Sequence, residues 1–458
     1  MQQIRSRFLP LLFLMLSWAV ASAEPITNLL TWNAAGDRVS ADARGWPLLN
    51  LLEAIAAQSG WQVLVEPGLE QPASVKFKNL PYSEALRLLL GDLNYALVPQ
   101  TNGVARFYVF RTEQERATQV VRAAPDPATI AQPRRVPNEL IVRVKPGTDI
   151  AALAKSLGAK VVGTIPELNA YRLQFADEAA TEAARTKLLA NPEVASVQDN
   201  YYVDPPRAPQ VLGGQAVPES KLTLDPPKPE ACKVVIGLVD GRLQNLGSQI
   251  EPFIKERISV AGQSATDDTQ PNHPTAMANS ILQGMQAAGK TSSAVQIIAV
   301  DVFGASSSAN TFNVALGMVT AANKGATIIN ASLGGYGNSP ILSETTQLLA
   351  AKNIPVFAAV GNDASTKPFY PAADPSVTAI TASERGRLAA YANVGTVATI
   401  AAPGTVLFSY GGQTYGAQGT SVSTAVATGV AAGIADGNCA PWSQVIPLLQ
   451  KQMPVPAP

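Results

Sequence analysis

A single histidine, His273, narrows the chemistry open to this chain of 458 residues. Imidazole is the side chain whose ordinary pKa suits proton transfer near neutral pH. A reaction that depends on histidine must therefore use His273, and a metal site built from several histidines is excluded. A solitary histidine is usually structural, so its neighbours decide between a structural and a chemical role.

Three other segments carry side chains suited to work with His273. Asp240 ends the apolar run IGLVD, and Asn362 follows the apolar run AAVG. Parallel strands bring the side chains at their carboxyl ends to one edge of a sheet. Ser421 stands in GTS before a run of small apolar residues, where a helix N-terminus would offer N–H groups to a developing oxyanion. These residue types suit acyl transfer by a serine nucleophile, with Asn362 as a hydrogen-bond donor.

Short runs rich in Val and Ile alternate with helical patterns downstream of residue 231. The runs predict buried parallel strands at 234–239, 295–302, 326–331, 354–360 and 377–381. The apolar spacing between them predicts helices at 275–288, 310–323 and 341–351. Pro274 is expected to be the first helical residue and to keep His273 out of helical dihedrals. The alternation predicts an α/β fold, a doubly wound parallel sheet with helices on both faces.

Two small α+β domains are expected before this α/β domain. Residues 24–113 show the order helix, strand, strand, helix, strand, and residues 138–204 show the order βαββαβ of a split βαβ sandwich. Pro-rich composition predicts linkers at 114–137 and 205–230. The α/β domain is assigned to 231–449 and the remaining residues, 450–458, to a tail.

The first 23 residues have the features of a secretory signal peptide. Arg5 and Arg7 precede a largely apolar stretch at 8–20, and Ala-Ser-Ala ends at residue 23. The alternative is a membrane anchor, but the apolar stretch is short for crossing a bilayer. We therefore expect an exported protein that is periplasmic or secreted.

Composition limits the ligands and partners of the chain. It has 34 basic and 34 acidic residues, which leaves no electrostatic footprint for nucleic acid. No acidic cluster has the spacing of a calcium loop, so we expect neither a metal nor a cofactor. Cys232 and Cys439 are either bridged by one disulfide or two free thiols.

The order Asp240, His273, Asn362, Ser421, together with NASLGG at 330–335 and APG at 402–404, resembles the subtilase (subtilisin-like) serine peptidases. The resemblance implies a subtilisin-like catalytic domain in which Ser421 attacks the scissile carbonyl, His273 transfers its proton and Asp240 orients the imidazole. Asn362 and the Ser421 N–H would bind the oxyanion.

The same resemblance assigns substrate binding to the strand segment that contains Ser332, Leu333 and Gly334, on which substrate main chain would add as a further strand. The cleft is expected to be lined on its other side by residues 304–308, which lack the family's extra glycines. Three neighbours of the reacting groups also depart from the family pattern, namely Gly241, Pro274 and Ala425.

Two upstream segments carry further resemblances. NELIV at 138–142 and NPEVASV at 191–197 resemble the subtilase propeptide, which implies an intramolecular inhibitor that is removed by cutting in the 203–231 linker. The alternative is an unrelated ferredoxin-like module. LLNLLEAIA at 48–56 and LPYSEAL at 80–86 resemble the short N-terminal domain of secretins and TonB-dependent signal transducers. That resemblance implies an envelope protein partner, and the alternative is a small folded spacer.

Together these features predict an exported subtilisin-like serine endopeptidase, made as a self-processed zymogen, that acts on proteins or peptides. The alternative from a different class is a catalytically weak subtilase-fold protein that binds partners in the cell envelope. A serine-carboxyl peptidase would need a catalytic Glu where this chain has His273.

Overall fold

The computed structural model describes residues 28–33, 37–69, 71–100, 104–121, 132–211, 222–225, 234–247, 250–264, 266–289 and 294–456. The predicted signal peptide and Cys232 lie outside the described residues. The chain divides into two compact units, Met1–Leu51 with Glu70–Asp92 and Leu52–Leu69 with Leu93–Pro458.

The first unit contains a three-stranded antiparallel sheet in the order β1-β2-β4. Its elements are β1 (Leu29–Asn33), β2 (Arg38–Trp46), the start of α1 (Leu48–Ser59), β4 (Ala73–Pro81) and α2 (Tyr82–Leu90). Helix α2 is amphipathic because its leucines recur at helical spacing, and Ala85, Leu86, Leu89 and Leu90 are its buried residues.

The second unit begins with a four-stranded sheet in the order β5-β6-β3-β7. Its strands are β3 (Gln62–Val65), β5 (Asn94–Val98), β6 (Arg106–Phe110) and β7 (Gln119–Val121). The predicted elements of residues 24–113 are all present, but their strands belong to two sheets in two units. The expected domain end at 113 is wrong because β7 pairs with β3.

Residues 135–203 fold in the predicted order βαββαβ. The elements are β8 (Arg135–Val144), α3 (Ile150–Ser156), β9 (Lys160–Ile165), β10 (Ala170–Gln174), α4 (Glu178–Leu189) and β11 (Val194–Val203). The strands are ordered β11-β8-β10-β9 with antiparallel neighbours, as a split βαβ sandwich requires. Asp149 and Asp177 cap the two helices with their side chains. We call residues 135–203 the sandwich.

Both faces of the sandwich sheet are buried, which explains the continuous apolar run in β8. Leu140, Val142 and Val144 pack in a cluster with residues of α3 and α4. Ile141 points to the opposite face and belongs to a cluster formed mainly by the α/β domain. The sheet therefore packs on its own helices with one face and on the α/β domain with the other.

A largely parallel eight-stranded sheet forms the α/β domain, in the order β14-β15-β13-β17-β18-β19-β20 with β21 beside β19. The strands of this sheet are β13 (Val235–Asp240), β14 (Ile254–Ser259), β15 (Gln296–Asp301), β17 (Ile328–Ala331), β18 (Val356–Ala359), β19 (Val377–Glu384), β20 (Arg387–Leu388) and β21 (Ile400–Pro403). Smaller pairings involve β12 (Gln210–Val211), β16 (Ala309–Asn310), β22 (Thr405–Tyr410) and β23 (Gln413–Gln418).

Helices cover both faces of this sheet, which confirms the predicted doubly wound α/β fold. They are α5 (His273–Ala287), α6 (Thr311–Asn323), α7 (Pro340–Ala351), α8 (Thr420–Asn438) and α9 (Trp442–Gln452). Ile236 and Leu238 of β13 pack in the cluster that contains α5 and α8, whereas Val235 and Val239 pack in the cluster that contains α6 and α7. The run of small residues in α8 permits close helix packing, since a side chain at Gly429 would collide with the Ile281 carbonyl of α5.

Two predicted boundaries of the α/β domain are wrong. The linker assigned to 205–230 is not free of structure, because β12 pairs with β23 and Leu222 and Leu224 pack against the core. The tail assigned to 450–458 begins inside α9, and the Met453 carbonyl accepts a hydrogen bond from Ala401. Cys439 is disulfide-bonded, and the only other cysteine of the sequence is Cys232. Within the described residues, every helix is too short or too polar to cross a bilayer.

Candidate active site

Asp240 lies at the carboxyl end of β13, where the sequence places it. The residue is 1% exposed, and its Oδ2 lies 2.8 Å from Nδ1 of His273. The other oxygen, Oδ1, accepts a hydrogen bond of 2.7 Å from the N–H of Gly241. The residue that departs from the family pattern thus supports the carboxylate through its backbone. Both carboxylate oxygens are held, which fixes the direction in which the carboxylate faces the imidazole.

His273 is 8% exposed and is the first residue of α5. The expectation that Pro274 begins the helix is wrong by one residue, because Asn272 is the N-cap and its Oδ1 accepts from the Thr275 N–H at 3.1 Å. Since Nδ1 of His273 contacts the acid, Nε2 is the nitrogen left for a reaction. Nε2 is buried and has no hydrogen-bond partner in the described part of the chain.

Gln244, which the sequence analysis does not single out, holds the loop that leads into His273. Its Nε2 donates to the carbonyls of Asp267 and Gln270, at 3.2 and 2.8 Å. Its Oε1 accepts from the N–H of Asn272 at 2.9 Å and from Oγ1 of Thr275 at 2.8 Å. The side chain is fully buried with all four hydrogen-bonding positions used. Gln244 therefore fixes the chain on both sides of the histidine.

Replacing Gln244 by leucine is expected to lower the free energy of unfolding by about 2–3 kcal/mol, because buried carbonyl and N–H groups lose their partners. It should also lower kcat more than it changes KM, since the imidazole loses its fixed position. Denaturant unfolding and steady-state kinetics measure the two effects. The matched control is Gln347→Leu, an exposed position on α7. Equal kcat values for the two variants would contradict the positioning role.

Ser421 is the second residue of α8 and is 6% exposed. Its Oγ donates to the Ser332 carbonyl at 2.9 Å, and Oγ of Ser332 donates to the Ser421 carbonyl at 2.9 Å. The hydrogen bond expected between Ser421 and His273 is therefore not formed, because a buried carbonyl that needs a donor competes for the hydroxyl. Rotation about χ1 of Ser421 frees its hydroxyl from the Ser332 carbonyl. Hydrogen bonds between a nucleophile and its base often tighten only when substrate binds.

Both halves of the site lie at one edge of the sheet. Asp240 ends β13, and Ser332 follows β17, the strand next to it, with Leu238 opposite Asn330. Neighbouring strands are about 4.8 Å apart, so the Asp240–His273 pair and the Ser332–Ser421 pair are neighbours. The topology thus brings the acid, the imidazole and the hydroxyl to the carboxyl edge of two adjacent strands.

Asn362 follows β18, and its side chain is oriented by Thr420, a second residue that the sequence analysis missed. Oδ1 of Asn362 accepts from the N–H of Thr420 at 2.8 Å and from its Oγ1 at 3.0 Å. A backbone N–H can only donate, so the amide oxygen must face Thr420 and Nδ2 faces away. The Nδ2 group is therefore available to an oxyanion near the N-terminus of α8.

The three residues assigned to substrate main chain are buried. Ser332 already uses its carbonyl for Ser421, and Leu333 packs in the core. Gly334 is pressed against Phe369, and a methyl group there would lie 2.5 Å from the Tyr370 carbonyl. Only glycine fits this close approach. Next to it, Gly335 and Tyr370 exchange two backbone hydrogen bonds, of 2.9 and 2.7 Å.

The sandwich caps two helices of the α/β domain. Oδ1 of Asn200 accepts from Oγ1 of Thr311 and from the N–H of Phe312, at 3.0 and 3.2 Å, in the first turn of α6. Oε1 of Gln198 accepts from the N–H of Ile341 at 2.9 Å in the first turn of α7. These contacts satisfy N–H groups that have no partner inside their helices.

Two family models match this sequence. Residues 233–446 match the subtilase family, and residues 123–200 match the fervidolysin N-terminal prodomain. Among curated relatives, thermitase from Thermoactinomyces vulgaris is 31% identical over 155 residues, which are 33% of this chain and 56% of that protein. The chain spans about half the length of the curated relatives it matches.

Two of the solved structures that match this chain illustrate the shared fold. The epidermin leader peptide processing serine protease from Staphylococcus aureus matches with a TM-score of 0.54 and 15% identity, over 68% of this chain and 93% of that chain. Fervidolysin from Fervidobacterium pennivorans, described as a keratinolytic enzyme related to subtilisin, matches with a TM-score of 0.51 and 18% identity. That match covers 68% of this chain and 57% of fervidolysin. The family matches confirm the subtilase and propeptide resemblances, whereas the resemblance of the N-terminal segments to secretins stays a prediction.

Proposed function

We propose that this chain is a serine endopeptidase that acts through Asp240, His273 and Ser421, and the match of residues 233–446 to the subtilase family supports this proposal. The observation that carries the proposal is the buried Asp240–His273 pair, 2.8 Å apart, whose imidazole keeps Nε2 without a partner among the described residues. An oriented base with a free nitrogen beside a helix-start serine is the arrangement that activates a hydroxyl nucleophile.

In the proposed reaction, the hydroxyl of Ser421 turns from the Ser332 carbonyl to Nε2 of His273 and attacks the carbonyl carbon of a peptide bond. His273 takes the hydroxyl proton and then delivers it to the leaving amine, while Asp240 stabilises the charged imidazole. Nδ2 of Asn362 and the Ser421 N–H bind the oxygen that becomes negative. A water molecule then attacks the acyl-enzyme ester in the same way and releases the carboxylic acid product.

The sandwich is proposed to act as a propeptide that assists folding and inhibits the enzyme until self-processing removes it. Its match to a prodomain supports this role, as does the pairing of β11 with β16 of the α/β domain. We also propose that the N-terminal signal peptide directs export of the chain. Residues 24–113 are proposed to bind an envelope protein. The test is to incubate the refolded full chain with a denatured protein substrate. The proposal requires that the chain cut itself and also cut the substrate.

A second candidate function is favoured by one observation, the engagement of Ser421 Oγ with Ser332. A serine locked in that contact would leave a subtilase fold that binds peptides without cutting them. Hydrolysis of a peptide library by processed protein excludes this candidate, and binding without hydrolysis supports it.

Replacing Asn362 by alanine is expected to lower kcat by about 10²–10³-fold with little change in KM, because its amide acts on charge that exists only in the transition state. Steady-state hydrolysis of a chromogenic peptide by processed protein measures both constants. The matched control is Asn338→Ala, at an exposed position just before α7. An unchanged kcat for Asn362→Ala would rule out the oxyanion role.

A further inference from the structure

The segment between the sandwich and the α/β domain is anchored on both sides of the candidate site. On one side, Tyr202 and Val203 of β11 pair antiparallel with Asn310 and Ala309 of β16. Ser308, beside β16, donates its hydroxyl to Asp204 at 3.3 Å. The chain therefore leaves the sandwich as an extended strand along the stretch next to residues 304–308.

On the other side, the segment pairs with the strand that leads directly into the serine. Gln210 lies opposite Gly416 of β23, and β23 ends at Gln418, just before the N-terminus of α8. Seven Cα steps separate Val203 from Gln210 and reach at most about 25 Å. Because β12 runs antiparallel to β23, the residues before Gln210 continue toward Gln418 and the N-terminus of α8, where Ser421 lies.

A third contact locates the middle of this segment. The guanidinium of Arg207 lies 2.8 Å from Oε2 of Glu53 on α1. Burial raises the pKa of Glu53, Arg207 acts to lower it, and the charge of Asp363 acts to raise it further. Asp363 follows Asn362, the proposed oxyanion donor. Arg207 is thus held by Glu53 on the segment that joins the β11–β16 pairing to the β12–β23 pairing.

The positions of the prolines single out one peptide bond in this segment as a candidate for cleavage. Prolines at 205, 206 and 209 put a tertiary amide nitrogen on the leaving side of three bonds in this segment. The pyrrolidine ring of proline is bonded to this leaving-group nitrogen, and it crowds the position from which His273 must deliver a proton. Of the bonds from Asp204 to Gln210, only Arg207–Ala208 has no proline on either side.

We propose that the self-processing cut falls at the Arg207–Ala208 bond and is made intramolecularly. This inference rests on the proposed function. In the step, Oγ of Ser421 bonds to the Arg207 carbonyl carbon, the bond to the Ala208 nitrogen breaks, and that nitrogen takes the proton from His273. Water then hydrolyses the ester and leaves a carboxylate on Arg207 and a new amino terminus on Ala208.

N-terminal sequencing and intact-mass analysis of refolded full chain test the proposal. The expected result is a fragment that begins at Ala208, formed at a rate constant that does not change on tenfold dilution. Ser421→Ala should stay uncut. Ala208→Pro alters an exposed residue and should slow the cut by about 10²-fold or more. Ala216→Pro, the matched control in the downstream linker, should be cut as fast as the unaltered chain.

Labelling of Ser421 with a fluorophosphonate in the same samples separates the possible failures. A labelled protein whose new terminus lies between 211 and 231, or a labelled Ala208→Pro variant that is cut at the normal rate, overturns the inference and leaves the proposed function intact. A rate that rises with protein concentration overturns the intramolecular placement. A chain that is neither labelled nor cut overturns the proposed function and the inference together.

Discussion

Replacement of Ser421 by alanine is expected to lower kcat by about 10⁶-fold, the loss that follows when a serine triad loses its nucleophile. Alanine removes only the hydroxyl oxygen, so the packing of α8 against α5 is kept. The residual rate should still exceed the rate in water by about 10³–10⁴-fold, because the oxyanion donors remain. Hydrolysis of a peptide substrate by sandwich-free protein measures the loss.

Ser423→Ala is the matched control for this experiment. Ser423 is buried on the same helix, and its Oγ donates to the carbonyls of Ala402 and Pro403 at 3.0 and 3.2 Å. Its replacement should lower the free energy of unfolding by about 1 kcal/mol and leave kcat nearly unchanged. Similar turnover for the two variants would remove Ser421 from the reaction.

Replacement of Asp240 by asparagine is expected to lower kcat by about 10⁴-fold. The carboxylate accepts the Nδ1 proton of His273 and so leaves Nε2 as the basic nitrogen. An asparagine that turned its NH₂ group to Nδ1 would favour the other tautomer, in which Nε2 carries the proton and cannot accept one from Ser421. Steady-state kinetics measure the loss.

The neighbouring strand offers a matched control for Asp240. Asp301 lies opposite Asp240 in the register of β13 and β15 and is also buried, but its Oδ1 accepts from the N–H groups of Phe303 and Gly304. Asparagine can still accept those two bonds, so Asp301→Asn should retain turnover. If Asp301→Asn lost as much activity as Asp240→Asn, the effect would reflect the loss of any buried charge at this edge.

The strands of the main sheet that the sequence predicts are those with dense Val and Ile, such as β13 and β15. These strands are covered on both faces, so their continuous apolar runs of β-branched residues identify them. Strand β14 is missed because its sequence, IKERIS, has three consecutive charged residues, which an edge strand of the sheet tolerates. The hairpin β22–β23 is also missed, although Gly411 and Gly412 both have positive φ, the turn chemistry that a two-residue hairpin loop requires.

The positions of the candidate site residues in the fold could be predicted, but their hydrogen bonds could not. Asp240, Asn362 and Ser421 stand at strand ends and a helix start, positions that local sequence marks. Gln244 carries no such mark, because its role comes from contacts with residues up to 31 positions away. The rotamer of Ser421 is likewise set by Ser332, 89 residues distant in sequence. Contacts between distant segments decide these features.

The most direct test of the account is covalent labelling of processed protein with a fluorophosphonate, followed by mapping of the labelled peptide. Labelling requires a serine whose proton a base can take. We expect one label, on Ser421, with labelling abolished by Ser421→Ala and strongly slowed by His273→Ala. An unlabelled folded protein, or a label on Ser421 that forms as fast without His273, would contradict it.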